Sequence, residues 1–484
     1  MSSALWRKSA VETVALLRKG EVSPLEAIDA AAERIAAVEP DVNALPTLCL
    51  DRARDHARRL MAGAGREAAG EAGWLAGLPV SIKDLTDVAG VRTTYGSPLF
   101  ADHVPTASHP LVERIERKGG IVVAKSNTPE FGAGGSTFNE VFGRTRNPWN
   151  TSLTCGGSTG GGSVSVATGE VFLAHGSDHG GSLRQPGTYC STVGIRPSAG
   201  RVTRGTSNNL YSPQSVQGPM ARNVADLALF LDTMAGFCPE DAMTFDAPAI
   251  SFSAAVANPV LPKRVAITMD FGGKFELDHE IREICLKTAR RFEELGCIVE
   301  EASPDFGPVD EVFMAFRAQQ FVVDRELQIE QHKDKIKPDI IWNTELGFKQ
   351  TTRQLAWAER ERAALYRRMG AFFQKYDLLV TPGAPTAAFD VMLRAPATIA
   401  GKKLENYMAG STLNSAITVT GSPAIAVPCG FDSFGRPVGL QLVGKPRGEA
   451  ALLQAASLYE KLLGLDRLLP IDPKPGTVPP SSQR

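Results

Sequence analysis

GLPVSIK (residues 77–83) and GIVVA (residues 120–124) are two short apolar runs of strand length, and residues 110–118 between them read as a helix. Strand, helix, strand at that spacing predicts an α/β fold: a large mixed and mostly parallel β-sheet covered by α-helices on both faces. Working outward, Val11, Val14, Leu16 and Leu17 form one apolar face in a helical first 60 residues. Ser23-Pro24-Leu25-Glu26 is a capping-box start for a second helix, predicted to end at about Val38, before Pro40. Residues 163–168 suggest a helix and residues 171–174 a strand. Further strands are expected at 265–268 and 378–380, with helices at 278–295 and 351–376. Residues 422–428 and 438–443 read as a closing strand pair, followed by a helix over 449–463. There is no internal repeat, and the Pro- and Ser-rich tail after Pro470 is expected to be loose.

At 484 residues the chain exceeds the roughly 250 to 300 at which a single core usually stops growing, so it holds two domains or one large α/β unit. Apolar residues at 43% and charged residues at 22% place it among ordinary globular proteins. Lys plus Arg total 52 and Asp plus Glu 53, leaving a net charge of -1 and no field to attract nucleic acid or an anionic membrane. The seven scattered cysteines contain no C-x-x-C pair and read as reduced, buried thiols. Charges at Arg7, Lys8, Glu12, Arg18 and Lys19 interrupt the N-terminal stretch, which predicts neither a signal peptide nor a membrane span and a cytoplasmic location.

Residues 151–162 and 176–187 are dense in Gly, Ser and Thr. There is no phosphate-binding G-x-x-x-x-G-K-[ST] motif and no H-E-x-x-H or clustered Cys/His set, so neither a cofactor nor a metal is expected. His175 and His179 are four apart, but Gly176 and Ser177 between them argue against a helical ligand pair. Gly156-Gly157-Ser158-Thr159-Gly160 matches G-x-S-x-G, the nucleophile elbow. That elbow needs an apolar strand before it, whereas residues 147–152 read as loop, and of the later histidines His279 and His332 sit in charged helical stretches.

A serine hydrolase without histidine needs another base, and a lysine serves if burial makes its ammonium uncomfortable. Lowering it by about 2 to 3 units from about 10.4 corresponds to roughly 3 to 4 kcal/mol, so such a lysine should come from the core. Lys83 ends the apolar run 77–82; the alternative is a strand-end lysine that reaches water. In the second loop, backbone N–H groups freed by Gly180 and Gly181 just before Ser182 can form an oxyanion hole. The alternative there is a Gly-Gly turn with Ser182 capping a short helix.

Together these pieces resemble the amidase signature family. The resemblance rests on Gly156-Gly157-Ser158-Thr159-Gly160-Gly161, Gly176-Ser177-Asp178, Gly180-Gly181-Ser182-Leu183-Arg184 and Gly194-Ile195-Arg196-Pro197. Lys83 lies 75 residues before Ser158, and Ser182 lies 24 after it, similar to the family's spacing. Residues 23–48, 127–150 and 421–443 also look like family segments, with a weaker stretch from about 250 to 400.

The resemblance implies the amidase signature fold as a single domain over 1–484. Within it the signature core spans about 70–215, a variable helical substrate cover about 250–412, and a C-terminal return to the sheet about 413–465. It implies that Ser182 is acylated by an amide carbonyl while Ser158, on a cis Gly157–Ser158 peptide, carries its proton to neutral Lys83. The oxyanion hole would use backbone N–H groups around His179, Gly180, Gly181 and Ser182, with Thr159, Asp178 and Arg184 in support. His179 departs from the family, which more often has a small or apolar residue there. Its imidazole lines the channel, tunes charge or points away. Cys190 reads as a core thiol.

The implied activity is hydrolysis of a small or aryl carboxamide without cofactor. An amidotransferase-like subunit that hands ammonia to a partner is the alternative, as is hydrolysis of carbamates or esters by the same triad. The expected partner is the small-molecule amide, with a homodimer left open. Phe131, Phe138, Phe142, Trp342, Trp357 and Tyr407 are candidate pocket residues.

Overall fold

The computed structural model describes residues 2–63, 66–205 and 207–479. Its main element is an eleven-stranded sheet. In chain order the strands are β1 (Thr47–Leu48), β2 (Pro79–Lys83), β3 (Ile121–Ser126), β4 (Leu173–Asp178), β5 (Val193–Arg196), β6 (Val216–Ala221), β7 (Arg264–Ile267), β8 (Ile298–Glu301), β9 (Leu378–Pro382), β10 (Ala424–Phe431) and β11 (Pro437–Val443). They lie in the order β1-β3-β2-β4-β6-β5-β10-β11-β9-β7-β8.

The sheet is mixed and covered by helices. The parallel pairing read from the sequence holds in the flanking groups β3-β2-β4 and β9-β7-β8. Between them, from β4 through β6, β5, β10 and β11 to β9, neighbouring strands run antiparallel. Side-chain alternation along β3 explains the two covered faces. Ile121 and Val123 pack in a core with Ile28, Ile35, Ala53 and Val164, on helices Pro24–Val42, Leu50–Met61 and Gly160–Thr168. Val122 packs in the other with Val80, Ile82, Val14, Ile115 and Leu227, on helices Ala10–Lys19, Pro110–Arg117 and Val224–Met234. Helices Val309–His332, Pro338–Phe348 and Thr352–Lys375 occupy the region expected to supply the helical cover.

Three local expectations change. Helix Pro24–Val42 runs through Pro40 instead of stopping before it. Proline costs that turn one donor, and the end is held by the left-handed cap Asn43, whose N–H donates to the Glu39 carbonyl. The Glu39 carboxylate also accepts from the Ala44 and Leu45 N–H groups. Residues 147–152 are not all loop: Arg146–Asn147 pairs with Asn150–Thr154 in a two-stranded ribbon separate from the main sheet. The tail is tied down as far as it is described. Ile471 N–H donates to the Ala167 carbonyl, Lys474 exchanges backbone bonds with Pro148 and Thr151, and Asp472 pairs with Arg34. Residues 480–484 lie outside the described residues.

Candidate active site

β2 delivers Lys83 to the site. Val80 and Ile82 fix the strand in one core, and Lys83 at its end is 0% exposed. Its Nζ lies 2.7 Å from Ser158 Oγ, 2.9 Å from Thr159 Oγ1 and 3.0 Å from Ser177 Oγ: the ammonium donates to all three, and the neutral amine donates to two and accepts from the third. No carboxylate lies within ion-pair distance of Nζ among the described residues. Burial therefore pushes the amine down to about 7, with the more distant Asp178 opposing. The strand-end lysine that reaches water is not what forms.

The two glycine-rich loops meet over this amine. The Gly157–Ser158 peptide is cis. Thr159 donates its backbone N–H to the Ser182 carbonyl at 3.1 Å, which joins the first loop to the second. A Cβ at Gly157 would lie 2.6 Å from the Gly134 carbonyl oxygen, so only glycine fits there. Ser158 and Ser182 open on the same cavity of about 510 Å³. No hydrogen bond joins their hydroxyls among the described residues; catalytic hydrogen bonds are often long before substrate arrives.

Asp178, at the end of β4, organises the second loop. Arg184 grips it with Nε and Nη2, both at 3.0 Å, and Arg196 Nη1 reaches it at 3.3 Å. Burial penalises the carboxylate, but the two guanidinium groups outweigh it and hold the carboxyl far below its usual range. Arg184 also donates to Gln441 Oε1 on β11 and to the Asn414 carbonyl on helix Thr412–Thr420, which ties the loop to the C-terminal return.

The same carboxylate takes the N–H of Gly181 at 2.9 Å and that of Leu183 at 3.2 Å. Gly181 is thus committed inward, at φ +116°. The N–H groups of His179, Gly180 and Ser182 have no protein acceptor among the described residues.

His179 lines the cavity, with Nδ1 at 2.8 Å from Ser215 Oγ and its ring against Phe313. Burial, reinforced by Arg317 and Arg196, keeps it neutral, well below the ordinary histidine range. His175 is buried between the Lys83 N–H and Gln217 Oε1, and burial pushes it down to about 3. Cys190 is a buried thiol pushed up to about 12 by burial.

Of the six aromatic candidates, Phe131 lines the cavity and Phe138, Phe142, Trp342, Trp357 and Tyr407 do not. Tyr407 instead holds Arg317 from behind, its hydroxyl accepting at 2.6 Å. Sequence reasoning missed Ser177, although it stands in the quoted Gly176-Ser177-Asp178 run. It also missed the polar face of helix Val309–His332, where Arg317, Gln320, Asp324, Arg325 and Gln328 recur at helical spacing toward the cavity.

A family model described as Amidase matches residues 26–453. The chain belongs to the amidase signature family. The amidase is 34% identical over 487 residues to a glutamyl-tRNA(Gln) amidotransferase subunit of Synechococcus sp. (strain CC9605), covering 95% of this chain and 96% of that one. It is 33% identical over 454 residues to an acylamidase of Rhodococcus erythropolis, covering 93% and 94%. A bacterial aryl acylamidase of the amidase signature family superposes with a TM-score of 0.87 at 26% identity, over 95% and 97% of the two chains. The amidase is therefore an amide-cleaving hydrolase by family. Among its described residues no helix is long and apolar enough to cross a membrane.

Proposed function

We propose that this chain hydrolyses the carbon-nitrogen bond of a small or aryl carboxamide through an acyl-enzyme on Ser182. The observation that carries the reading is the 2.7 Å contact between the hydroxyl of Ser158 and a buried Lys83 amine that has no carboxylate within ion-pair distance among the described residues. Neutral Lys83 takes the Ser158 proton as Ser158 takes that of Ser182, and Ser182 Oγ bonds to the carbonyl carbon. The developing oxyanion is met by the uncommitted N–H groups of the second loop, with Gly180 and Ser182 the best placed in sequence. The proton returns along the same path to the leaving nitrogen, the C–N bond breaks, and ammonia or an amine departs. Water, deprotonated by the same relay, then cleaves the ester and restores Ser182. Thr159 and Ser177 hold Lys83 in line; Asp178 and Arg184 hold the loop.

Labelling with a fluorophosphonate tests this reading: the adduct is expected on Ser182 and absent from Ser182→Ala. An adduct on Ser158 would instead support a nucleophile elbow, whose preceding strand belongs here to a separate ribbon.

The similarity to an amidotransferase component supports a second reading, in which the chain releases ammonia for a partner protein. Hydrolysis of an amide panel by the purified chain alone favours the first. Activity that requires an added partner favours the second. Esters and carbamates belong in the same panel, since the relay suits them equally.

A further inference from the structure

We propose that the amide substrate carries a carboxylate and that Arg317 binds it; the proposal rests on the hydrolase reading above. Arg317 lines the catalytic cavity from helix Val309–His332 and is 5% exposed. Its Nε donates to Asn343 Oδ1 at 2.9 Å and its Nη2 to the Tyr407 hydroxyl at 2.6 Å. Asn343 Nδ2 donates in turn to the same hydroxyl at 2.8 Å, so neutral groups fix the fork in place. Phe321 and Tyr407 rings flank the guanidinium at 4.7 and 5.8 Å. Among the described residues Arg317 has no carboxylate within ion-pair distance, and its Nη1 has no acceptor.

A charge removed from water and left without a counter-ion is costly, and a pre-oriented guanidinium fork matches a carboxylate. Two further arginines, Arg204 and Arg325, line the cavity. Arg325 lies over the Phe131 ring at 4.0 Å with no ion pair among the described residues, and Arg204 is spent on the Asn209 and Ser212 carbonyls and Ser207. The acids facing the cavity are Asp178, matched by Arg184 and Arg196, and Asp324, which accepts from Gln320.

Position sets the reach. Arg317 is one helical turn from Phe313, whose ring packs on His179 and would meet a Cβ at Gly180 at 3.0 Å. A carboxylate on Arg317 therefore sits beside the second loop, a short chain away from a carbonyl at Ser182. Monoamides of short dicarboxylic acids have that shape.

The test is protection of Ser182 from fluorophosphonate in the full-length chain. Succinamate and glutaramate are compared with butanamide and pentanamide, which lack the carboxylate. The acids are expected to protect at concentrations at least about tenfold lower. That preference should collapse in Arg317→Gln, return in part in Arg317→Lys, and weaken in Tyr407→Phe, which keeps the ring and removes the orienting hydroxyl. Equal protection by acids and neutral amides, or a preference that survives both Arg317→Gln and Tyr407→Phe, overturns the anion site alone. Absence of any Ser182 adduct overturns the hydrolase reading and this proposal with it.

Discussion

Lys83 and Lys125 lie near the ends of adjacent parallel strands, both fully buried, yet among the described residues only Lys125 has a carboxylate against it, Asp84 at 3.1 Å. Lys83 has three hydroxyls in that place. Burial lowers both amines; an ion pair stabilises one as a cation, and its absence leaves the other titrating near neutrality.

Activity should follow the uncharged fraction of Lys83. Its folded pKa is lowered to about 7, so kcat/KM is expected to fall about tenfold per pH unit below 7 and to level off above it. A pH profile from 5 to 9 reads this directly. A rate independent of pH below 7 would refute the assignment of Lys83 as the base.

Exchanging each lysine for methionine should separate chemistry from stability. Lys83→Met removes an amine that has no counter-ion among the described residues, so its melting temperature should stay close to wild type while kcat falls by about 100-fold or more. Lys125→Met strands Asp84 without its cation and is expected to cost about 3 to 5 kcal/mol in urea unfolding. Equal loss of stability in the two variants would contradict the contrast between them.

Asp178→Asn leaves Arg184 and Arg196 buried without a charge partner. We expect a loss of about 3 to 5 kcal/mol in denaturant titration, and a protein lacking Ser182 labelling because the second loop loses its anchor. Full stability in this variant would mean that the carboxylate is not what holds the loop.

Gly181→Ala places a Cβ 2.5 Å from that of Asn414 at a φ of +116°. A destabilisation of about 1 to 3 kcal/mol is expected, with a fall in kcat as the loop shifts. Thermal melts and steady-state rates check both, and an unaffected kcat would show that the loop tolerates displacement.

Much of this was legible in the chain itself. The alternation of short apolar runs with amphipathic helices, the hydroxyls on two glycine-rich loops, and a lysine closing an apolar strand are local patterns, set by side-chain periodicity and by where glycine is required. Helix Glu449–Leu463 and strands β2 and β3 fall where that periodicity puts them. What only the tertiary structure decided depends on partners brought from far along the chain. The antiparallel centre of the sheet, Ser177 beside Lys83, the diversion of the Gly181 N–H to Asp178, and Arg317 held by Asn343 and Tyr407 with no ion pair among the described residues are all of this kind. The charge state and aim of a buried group are set by the groups surrounding it in space, and sequence spacing carries no record of those neighbours.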